Sequence, residues 1–273
     1  MSRLALQAVD RHFHRAGSTQ SGIRLLAEET PIAMSYRGST HAVMMATPAD
    51  LVDFAYGFTL SEGIAREPGE ILGVEIVTLD EGIDLQVALS EEAASRHTAR
   101  RRAMTGPVGC GLCGVDSIAE ALRTVRPVGE GAALRDSEVG EAVSLLAKSQ
   151  ALNAQTGAVH AAGFFESLCG LLTVREDVGR HNALDKLAGA LAQGGVAASG
   201  GAVVLTSRVS VEMVQKTAMM GCAIILAVSA PTALAVRTAE AANITLVAVV
   251  RGAEFEIFTH PYRIGQGGTG NVA

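Results

Sequence analysis

Ala202-Val203-Val204-Leu205-Thr206 is the first of three short apolar runs that decide the fold. The other two occupy residues 223–228 and 244–250, and helical patterns over 211–220 and 233–242 separate them. Apolar strands that alternate with helices predict a βαβαβ unit with a parallel sheet, whose ligands bind at the carboxyl ends of the strands. The turns expected at those ends are polar: Ser207-Arg208, Ser229-Ala230-Pro231-Thr232 and Arg251-Gly252.

The rest of a C-terminal α/β lobe, predicted over residues 136–264, lies upstream of these strands. Apolar spacing predicts helices over 137–154 and 182–192. Strands are predicted between them, over 161–166 and 171–176.

Residues 23–135 are predicted to form a smaller N-terminal α+β lobe that ends in a Cys-x-x-Cys loop. Thr47 suits the N-cap, and Pro48 the first position, of a helix over 49–61. A further helix is expected over 116–125. The predicted strands lie near 24–26, 32–36, 41–45, 71–79 and 83–88, the last two forming a hairpin. The polar residues 1–22 and the Gly-rich residues 265–273 are expected to be flexible tails.

Composition excludes several classes of protein. The 273 residues are 48% hydrophobic but only 4% aromatic, and no run reaches the ~18 apolar residues of a membrane helix. The N-terminus lacks the apolar segment of a secretory signal, so we expect a cytoplasmic protein. A formal net charge of -6 gives no global electrostatic case for nucleic-acid binding, so any anionic ligand needs a local site.

Gly109-Cys110-Gly111-Leu112-Cys113-Gly114 frames two thiols with glycines in a chain of only four cysteines. A reactive thiol must be exposed and held as the thiolate, whereas a free cysteine with a pKa of about 8.5 is mostly protonated at neutral pH. Arginines at 96 and 100–102 would supply positive potential nearby. The pattern indicates sulfur or redox chemistry, a zinc half-site, or small residues in a turn.

Other parts of the sequence help to distinguish these alternatives for the Cys-x-x-Cys pair. Thr105-Gly106-Pro107 before the pair is unlike the strand that precedes a thioredoxin-like motif, which disfavours a redox disulfide. A zinc deaminase needs His-x-Glu upstream, and no histidine here is followed two positions later by Glu. Cys169 and Cys222 lie in apolar runs that predict core positions, so further zinc ligands are not evident. Metal stays an alternative, although no resident metal is expected.

Glu176-Asp177-Val178-Gly179-Arg180-His181-Asn182 concentrates charge around one glycine. Asp177 or Asn182 would cap the following helix, whose free N–H groups, with Arg180 and Lys186, would bind phosphate or carboxylate. Gly179 would allow close approach, and His181 is equally well interpreted as a proton relay or a structural hydrogen-bonder. Glu176 and Asp177 are alternatively ion-paired scaffolding for Arg180. With the turns at Ser207, Arg208 and Thr232, this loop favours a nucleotide-sized anion.

These residues, taken together, resemble the formate dehydrogenase accessory sulfurtransferases, the FdhD/NarQ family. The resemblance runs from about residue 29 to 264. Its motifs are Glu29-Thr30-Pro31-Ile32, Thr47-Pro48, Gly57-Phe58, Glu62-Gly63-Ile64, Cys110-Gly111-Leu112-Cys113-Gly114, Thr156-Gly157, His160-Ala161, Glu176 to Asn182, Asp185-Lys186, Ala230-Pro231-Thr232 and Arg251.

The resemblance implies a sulfur relay. A cysteine desulfurase would pass a persulfide to Cys110, with Cys113 assisting or resolving. The sulfur would then reach the molybdenum or tungsten bis-pterin guanine dinucleotide cofactor, the cargo of the protein, before its insertion into formate dehydrogenase. The resemblance also implies a cytidine deaminase-like three-layer core, a dimer, and guanine-nucleotide binding at Val249-Val250-Arg251-Gly252-Ala253-Glu254.

Two other functions stay open. A non-catalytic chaperone would bind the cofactor and the apo-dehydrogenase without using the cysteines. A zinc-dependent, deaminase-like hydrolase would hold stoichiometric zinc.

Overall fold

The structure is a computed structural model that describes residues 4–104 and 125–265. Cys110, Cys113 and almost all of the helix predicted over 116–125 lie outside the described residues. Within those residues, no helix is both long and apolar enough to span a membrane.

The chain begins with a two-stranded hairpin, β1 (Leu6–Arg15) and β2 (Ser18–Ala27), paired antiparallel along its whole length. The flexible tail expected over residues 1–22 is therefore wrong from Leu6 onward. The strand predicted near 24–26 lies within β2. The rest of the hairpin was not predicted because polar and apolar residues occur on both of its faces, so no amphipathic alternation marks it.

The N-terminal lobe has a four-stranded sheet in the order β4-β3-β6-β5. Helix α1 packs Phe54 and Phe58 against Ile32 and Leu85 of the sheet. This lobe confirms the predicted strands, hairpin and helix to within a few residues. Its elements are β3 (Thr30–Tyr36), β4 (Ser39–Ala46), α1 (Leu51–Ser61), β5 (Ile71–Thr78), β6 (Ile83–Leu89) and α2 (Glu91–Met104).

The C-terminal lobe has a six-stranded mixed sheet in the order β13-β12-β11-β10-β8-β9. Its strands are β8 (His160–Glu166), β9 (Gly170–Asp177), β10 (Ala202–Leu205), β11 (Ile224–Ala227), β12 (Thr245–Arg251) and β13 (Glu254–Thr259). The central strands β10, β11 and β12 are parallel, which confirms the βαβαβ unit. Strands β8, β9 and β13 are antiparallel to their neighbours.

Helices cover both faces of this sheet. The helices are α3 (Asp136–Lys148), α4 (Ala151–Thr156), α5 (Arg180–Gln193), α6 (Val211–Met219) and α7 (Ala233–Ala241). Val203 faces the side of α5, α6 and α7, whereas its neighbour Val204 faces α3, because successive strand residues point to opposite faces. The core thus has three layers, α/β/α. Short strands β7 (Leu134–Arg135) and β14 (Ile264–Gly265) pair beside it.

Two predicted boundaries are corrected. The helix predicted over 137–154 is interrupted between α3 and α4, where the Ser149 hydroxyl donates to the Leu145 carbonyl. Residues 125–135, assigned by sequence to the N-terminal lobe, pack with the C-terminal lobe. Val125 and Val128 lie in its core, and the Val128 amide donates to the Ala242 carbonyl.

The two lobes meet where α1 crosses α5 at glycines. A methyl group on Gly57 would overlap the Asp185 carbonyl oxygen, and one on Gly189 would overlap the Asp53 carbonyl oxygen. The helices approach closely because neither glycine carries a side chain. This crossing fixes α5, and with it the loop that precedes α5, against the N-terminal lobe.

Candidate functional site

The polar turns predicted from sequence meet at one edge of the six-stranded sheet. His160 at the start of β8 pairs with Asp177 at the end of β9. The Thr206 hydroxyl, just past β10, accepts from the Ala161 amide at 2.9 Å. The Val228 amide, just past β11, donates to the Leu205 carbonyl. The ends of β9, β10 and β11 are therefore neighbours, as a parallel unit with antiparallel flanks requires.

Asp177 organises the loop before α5. Its carboxylate accepts from the Thr47 amide at 3.0 Å, the Gly179 amide at 2.7 Å and the Asn182 side-chain amide at 3.0 Å, and it pairs with the Lys186 ammonium at 2.6 Å. Asp177 and Lys186 are completely buried. Lys186 is consequently held in the core, and the prediction that it binds an anion is wrong.

Thr47 joins the N-terminal lobe to this loop. Its hydroxyl accepts from the Val178 amide at 3.1 Å, and its carbonyl accepts from Lys186 at 2.8 Å. It therefore does not cap α1, which begins at Leu51 after Asp50 in the left-handed conformation. The predicted N-cap role of Thr47 is replaced by a tertiary one.

The other predicted loop contacts also differ from expectation. Glu176 accepts from the amides of Leu152 and Asn153 at 2.8 Å, so it caps α4 and does not pair with Arg180. The space at Gly179 is filled by the Asn182 amide, which would lie 2.6 Å from a methyl group there. Gly179 is thus small to admit a side chain of its own loop.

A second buried network lies behind the loop. Lys216 donates to Asp185 at 2.9 and 3.0 Å, to Glu62 at 2.8 Å and to the Ser61 hydroxyl at 2.9 Å. Burial disfavours the charged ammonium, but the attraction of Asp185 and Glu62 outweighs it and raises the pKa of Lys216. This network ties α1, α5 and α6 together at one point.

Arg180, at the start of α5, lies beside two histidines. Its Nε atom is buried without a hydrogen-bond partner among the described residues. Burial, and then the positive charge of Arg180, lowers the pKa of His160. Burial also lowers the pKa of His181, against the attraction of Glu212, whose carboxylate lies 2.8 Å from the His181 Nε2. The unpartnered Nε–H of Arg180, near two imidazoles whose lowered pKa values favour the neutral form, suits an anionic ligand.

His160 and Glu212 were not predicted at this edge. His160 lies in His160-Ala161, one of the motifs on which the family resemblance rests, and that motif could have identified it as a site residue. Glu212 stands on α6, in no motif, and only the fold brings it to His181.

The remaining predicted residues lie along the same edge. Arg208 is exposed, whereas Ser207 is buried and its hydroxyl donates to the Arg208 carbonyl at 3.2 Å. The Thr232 hydroxyl accepts from the Ala235 amide at 3.2 Å, so it caps α7. In the part of the chain that the structure describes, its hydroxyl proton has no acceptor and could be donated to a ligand.

The predicted nucleotide segment forms the turn from β12 to β13. Val250 is buried, whereas residues 251–254 are exposed. Arg251 donates to the Val228 carbonyl at 2.5 Å, which places the turn beside the end of β11. Val249 has φ of 56°. A β-branched residue in this left-handed conformation is strained by roughly 1–3 kcal/mol, and such strain is concentrated at functional sites.

The cysteines that the structure describes differ in environment. Cys222 is buried, as predicted, and burial raises the pKa of its thiol to about 11. Cys169 is exposed, so its predicted core position is wrong: it follows Leu168, which is 97% exposed, in the turn between β8 and β9. In residues 4–104 and 125–265, no three His, Cys, Asp or Glu side chains are grouped to hold a metal ion.

The chain matches the model of the FdhD/NarQ family over residues 27–265. It is 55% identical over 251 residues to a sulfur carrier protein FdhD of Agrobacterium fabrum, covering 92% of this chain and 93% of the relative. The corresponding protein of Brucella abortus is 56% identical over 252 residues, covering 92% and 94%.

A solved structure supports the same relationship. It is a crystal structure from Desulfotalea psychrophila, of a protein assigned as a formate dehydrogenase accessory protein. It superposes with a TM-score of 0.74 at 26% identity, covering 95% of this chain and 99% of that one. The family match spans both lobes and every predicted site residue. The chain belongs to the FdhD/NarQ family.

Proposed function

We propose that this protein is a sulfur carrier with a cysteine persulfide intermediate. Cys110 accepts persulfide sulfur from a cysteine desulfurase, with Cys113 assisting or resolving. The sulfur is then passed to the molybdenum or tungsten bis-pterin guanine dinucleotide cofactor destined for formate dehydrogenase. Relatives more than half identical to this chain carry the name sulfur carrier protein, and their matched lengths exceed nine-tenths of both chains.

The observation that carries the proposal is the cationic edge around Arg180. The buried Nε of Arg180 has no hydrogen-bond partner among the described residues, so it carries a desolvation penalty that a bound anion would relieve. A guanine dinucleotide supplies such an anion in its diphosphate, and arginine forks suit phosphate geometry. The exposed Arg208 and Arg251 flank the same edge.

Each part of the edge has a separate task in this proposal. Arg180 and Arg208 hold the diphosphate, and the backbone of residues 249–254 holds the guanine. His160 and His181, whose pKa values are lowered, stay neutral near pH 7 and act as hydrogen-bond partners. The Asp177 and Lys216 networks hold α5 and its loop in place.

Three further features belong to this proposal. The α/β/α core would adopt the cytidine deaminase-like arrangement, and the protein would work as a cytoplasmic homodimer. The desulfurase and formate dehydrogenase would bind it in turn.

A cofactor-binding chaperone is the second candidate. The cationic edge favours it, because Arg180, Arg208 and Arg251 would hold the cofactor without any thiol. The two candidates differ in whether Cys110 is needed, so replacing the cysteines distinguishes the sulfur carrier from the chaperone.

The test uses cells that lack their own copy of the protein and express variants of this chain. We expect Cys110→Ala to abolish formate dehydrogenase activity, and Cys169→Ala, at an exposed cysteine outside the site, to retain it. Both variants should bind GDP as the wild type does. Full dehydrogenase activity with Cys110→Ala would instead establish the chaperone.

A further inference from the structure

Two acid–base pairs join α5 to α6, one helical turn apart. Asp185 of α5 pairs with Lys216 of α6 at 2.9 Å, and both residues are buried. Four positions earlier on each helix, the Nε2 of His181 lies 2.8 Å from a carboxylate oxygen of Glu212. Residues four apart lie on the same face of a helix, so the buried pair fixes the register of the more exposed one. The core of the protein therefore maintains the position of Glu212 opposite His181.

The contacts of His181 determine which ring nitrogen carries its hydrogen. The Ser210 hydroxyl lies 3.4 Å from Nε2, and it donates to the Glu212 carboxylate at 3.3 Å. A carboxylate only accepts hydrogen bonds, so Nε2 carries the hydrogen when His181 is neutral. The Nδ1 atom then has a free lone pair, and it has no hydrogen-bond partner among the described residues. Nδ1 is consequently the atom that can take up a proton.

The surroundings of His181 oppose protonation while no anion is bound. Burial is the largest cause that lowers the pKa of His181, and Arg180 and Lys216 lower it further. The attraction of Glu212 and Asp185 acts against these causes without overcoming them. His181 is also the second residue of α5, where the positive end of the helix dipole disfavours a further cation.

An anion at Arg180 would change this balance. The buried Nε of Arg180 has no partner among the described residues, and the charge of Arg180 already reaches His181. A diphosphate bound there would offset the positive charge, and an imidazolium at position 181 would have Glu212 as its counter-charge. Protonation of His181 and binding of the anion therefore favour each other.

We propose that Glu212 positions His181 to accept a proton when the diphosphate binds at Arg180. The inference rests on the proposed function, because it takes the guanine nucleotide as the anion. The proton comes from solvent and binds to Nδ1, while the Nε2 hydrogen stays directed at Glu212. Since the bound state holds the proton more tightly than the free state, His181 should strengthen nucleotide binding only as the pH falls below neutral.

The test measures GDP affinity by calorimetry at about pH 8 and at about pH 6, on either side of the range in which histidine titrates. The ratio of the affinity at the lower pH to that at the higher is compared between proteins, because the terminal phosphate of GDP titrates equally in all of them. We expect this ratio to be at least about threefold larger for the wild type than for His181→Asn. Titrations near pH 6 in buffers of different ionisation enthalpy count the protons taken up.

Glu212→Gln isolates the charge of Glu212 from its shape. The amide oxygen still accepts the Nε2 hydrogen but carries no charge, so the variant should match the wild type at about pH 8 and have the smaller ratio of His181→Asn. Equal affinity at the higher pH also shows that the variant is folded. Glu240→Gln is the matched control, because Glu240 is 63% exposed on another helix and lies 3.8 Å from the Nε2 of His260. It should keep the ratio of the wild type.

The outcomes distinguish this inference from the proposed function. If Glu212→Gln and the wild type have equal ratios, or if the wild type binds GDP without proton uptake that depends on His181, the role of Glu212 is overturned and the sulfur-carrier proposal stands. If the folded wild type binds no GDP at either pH, the nucleotide site itself is overturned, and this inference with it.

Discussion

The carboxylate of Asp177 holds the loop that presents Arg180 to the sheet edge. Four donors converge on it from both lobes, and the residue is completely buried. A buried carboxylate is tolerable only while its partners are in place. Of the four donors to Asp177, three are neutral amides, and the Lys186 ammonium carries the positive charge that balances the carboxylate.

Replacing Lys186 therefore tests how the loop is held. Lys186→Met keeps the length of the side chain but leaves Asp177 buried without a counter-charge. We expect a loss of about 3–5 kcal/mol in the free energy of unfolding, measured by urea titration. Lys148→Met, at an exposed lysine, should change stability by less than about 0.5 kcal/mol. Equal stability of the two variants would show that the ion pair does not hold the loop.

A second prediction concerns the thiol of Cys222. Because burial raises its pKa to about 11, the thiolate that reacts with alkylating reagents is scarce at neutral pH. Iodoacetamide at pH 7.5 should label Cys169 in the folded protein and should label Cys222 only after unfolding. Peptide mass mapping distinguishes the two. Comparable labelling of Cys222 in the native state would contradict its buried environment.

At this scale the sequence showed which residues are unusual, but not their partners. The loop from Glu176 to Asn182 was singled out from its composition and does lie at the sheet edge, whereas Lys186 and Thr47 were given local roles. Thr47 contacts Asp177 across 130 positions, and Lys186 contacts the Thr47 carbonyl across 139. No local pattern reports such contacts, because capping and helix-end rules consider only a few neighbouring residues.

Among the elements, α3 supports the turn from β12 to β13. A methyl group on Gly140 of α3 would overlap the Gly252 carbonyl oxygen. The turn is exposed and can shift outward, so the clash should move it without unfolding the lobe.

Gly140→Ala consequently tests where the guanine binds. We expect the variant to keep its fold and to lose at least about tenfold in affinity for GDP, equivalent to about 1.4 kcal/mol, measured by calorimetry. Gly69→Ala is the matched control, since a methyl group there meets open space. Wild-type GDP affinity in Gly140→Ala would place the nucleotide elsewhere.

The elements themselves were largely predictable. Strands β10, β11 and β12 are short apolar runs bounded by turn residues, a pattern that buried parallel strands produce. The β1–β2 hairpin was missed, apart from residues 24–26 of β2, because it is not amphipathic. The break between α3 and α4 was missed because apolar spacing continues across Ser149, while Glu176 supplies the new helix with its cap from a distant strand.

At the scale of the whole molecule, the two lobes act as one support for the sheet edge. Helix α1 is locked against α5 through Gly57 and Gly189, and Lys216 joins both helices to α6. The division into two lobes was expected, but their contact was not, because glycine spacing within a helix does not identify the opposing helix. The family relationship, in contrast, was evident from the collinear motifs alone.

Sulfur loading on Cys110 is the central claim, and intact mass measures it directly. The protein is incubated with a cysteine desulfurase and cysteine, in a Cys169→Ala background that removes an exposed thiol outside the site. We predict a gain of one sulfur atom that reductant removes, that Cys113→Ala retains at least in part, and that Cys110→Ala abolishes. No gain in the parent protein, with an active desulfurase, would contradict the sulfur-carrier account.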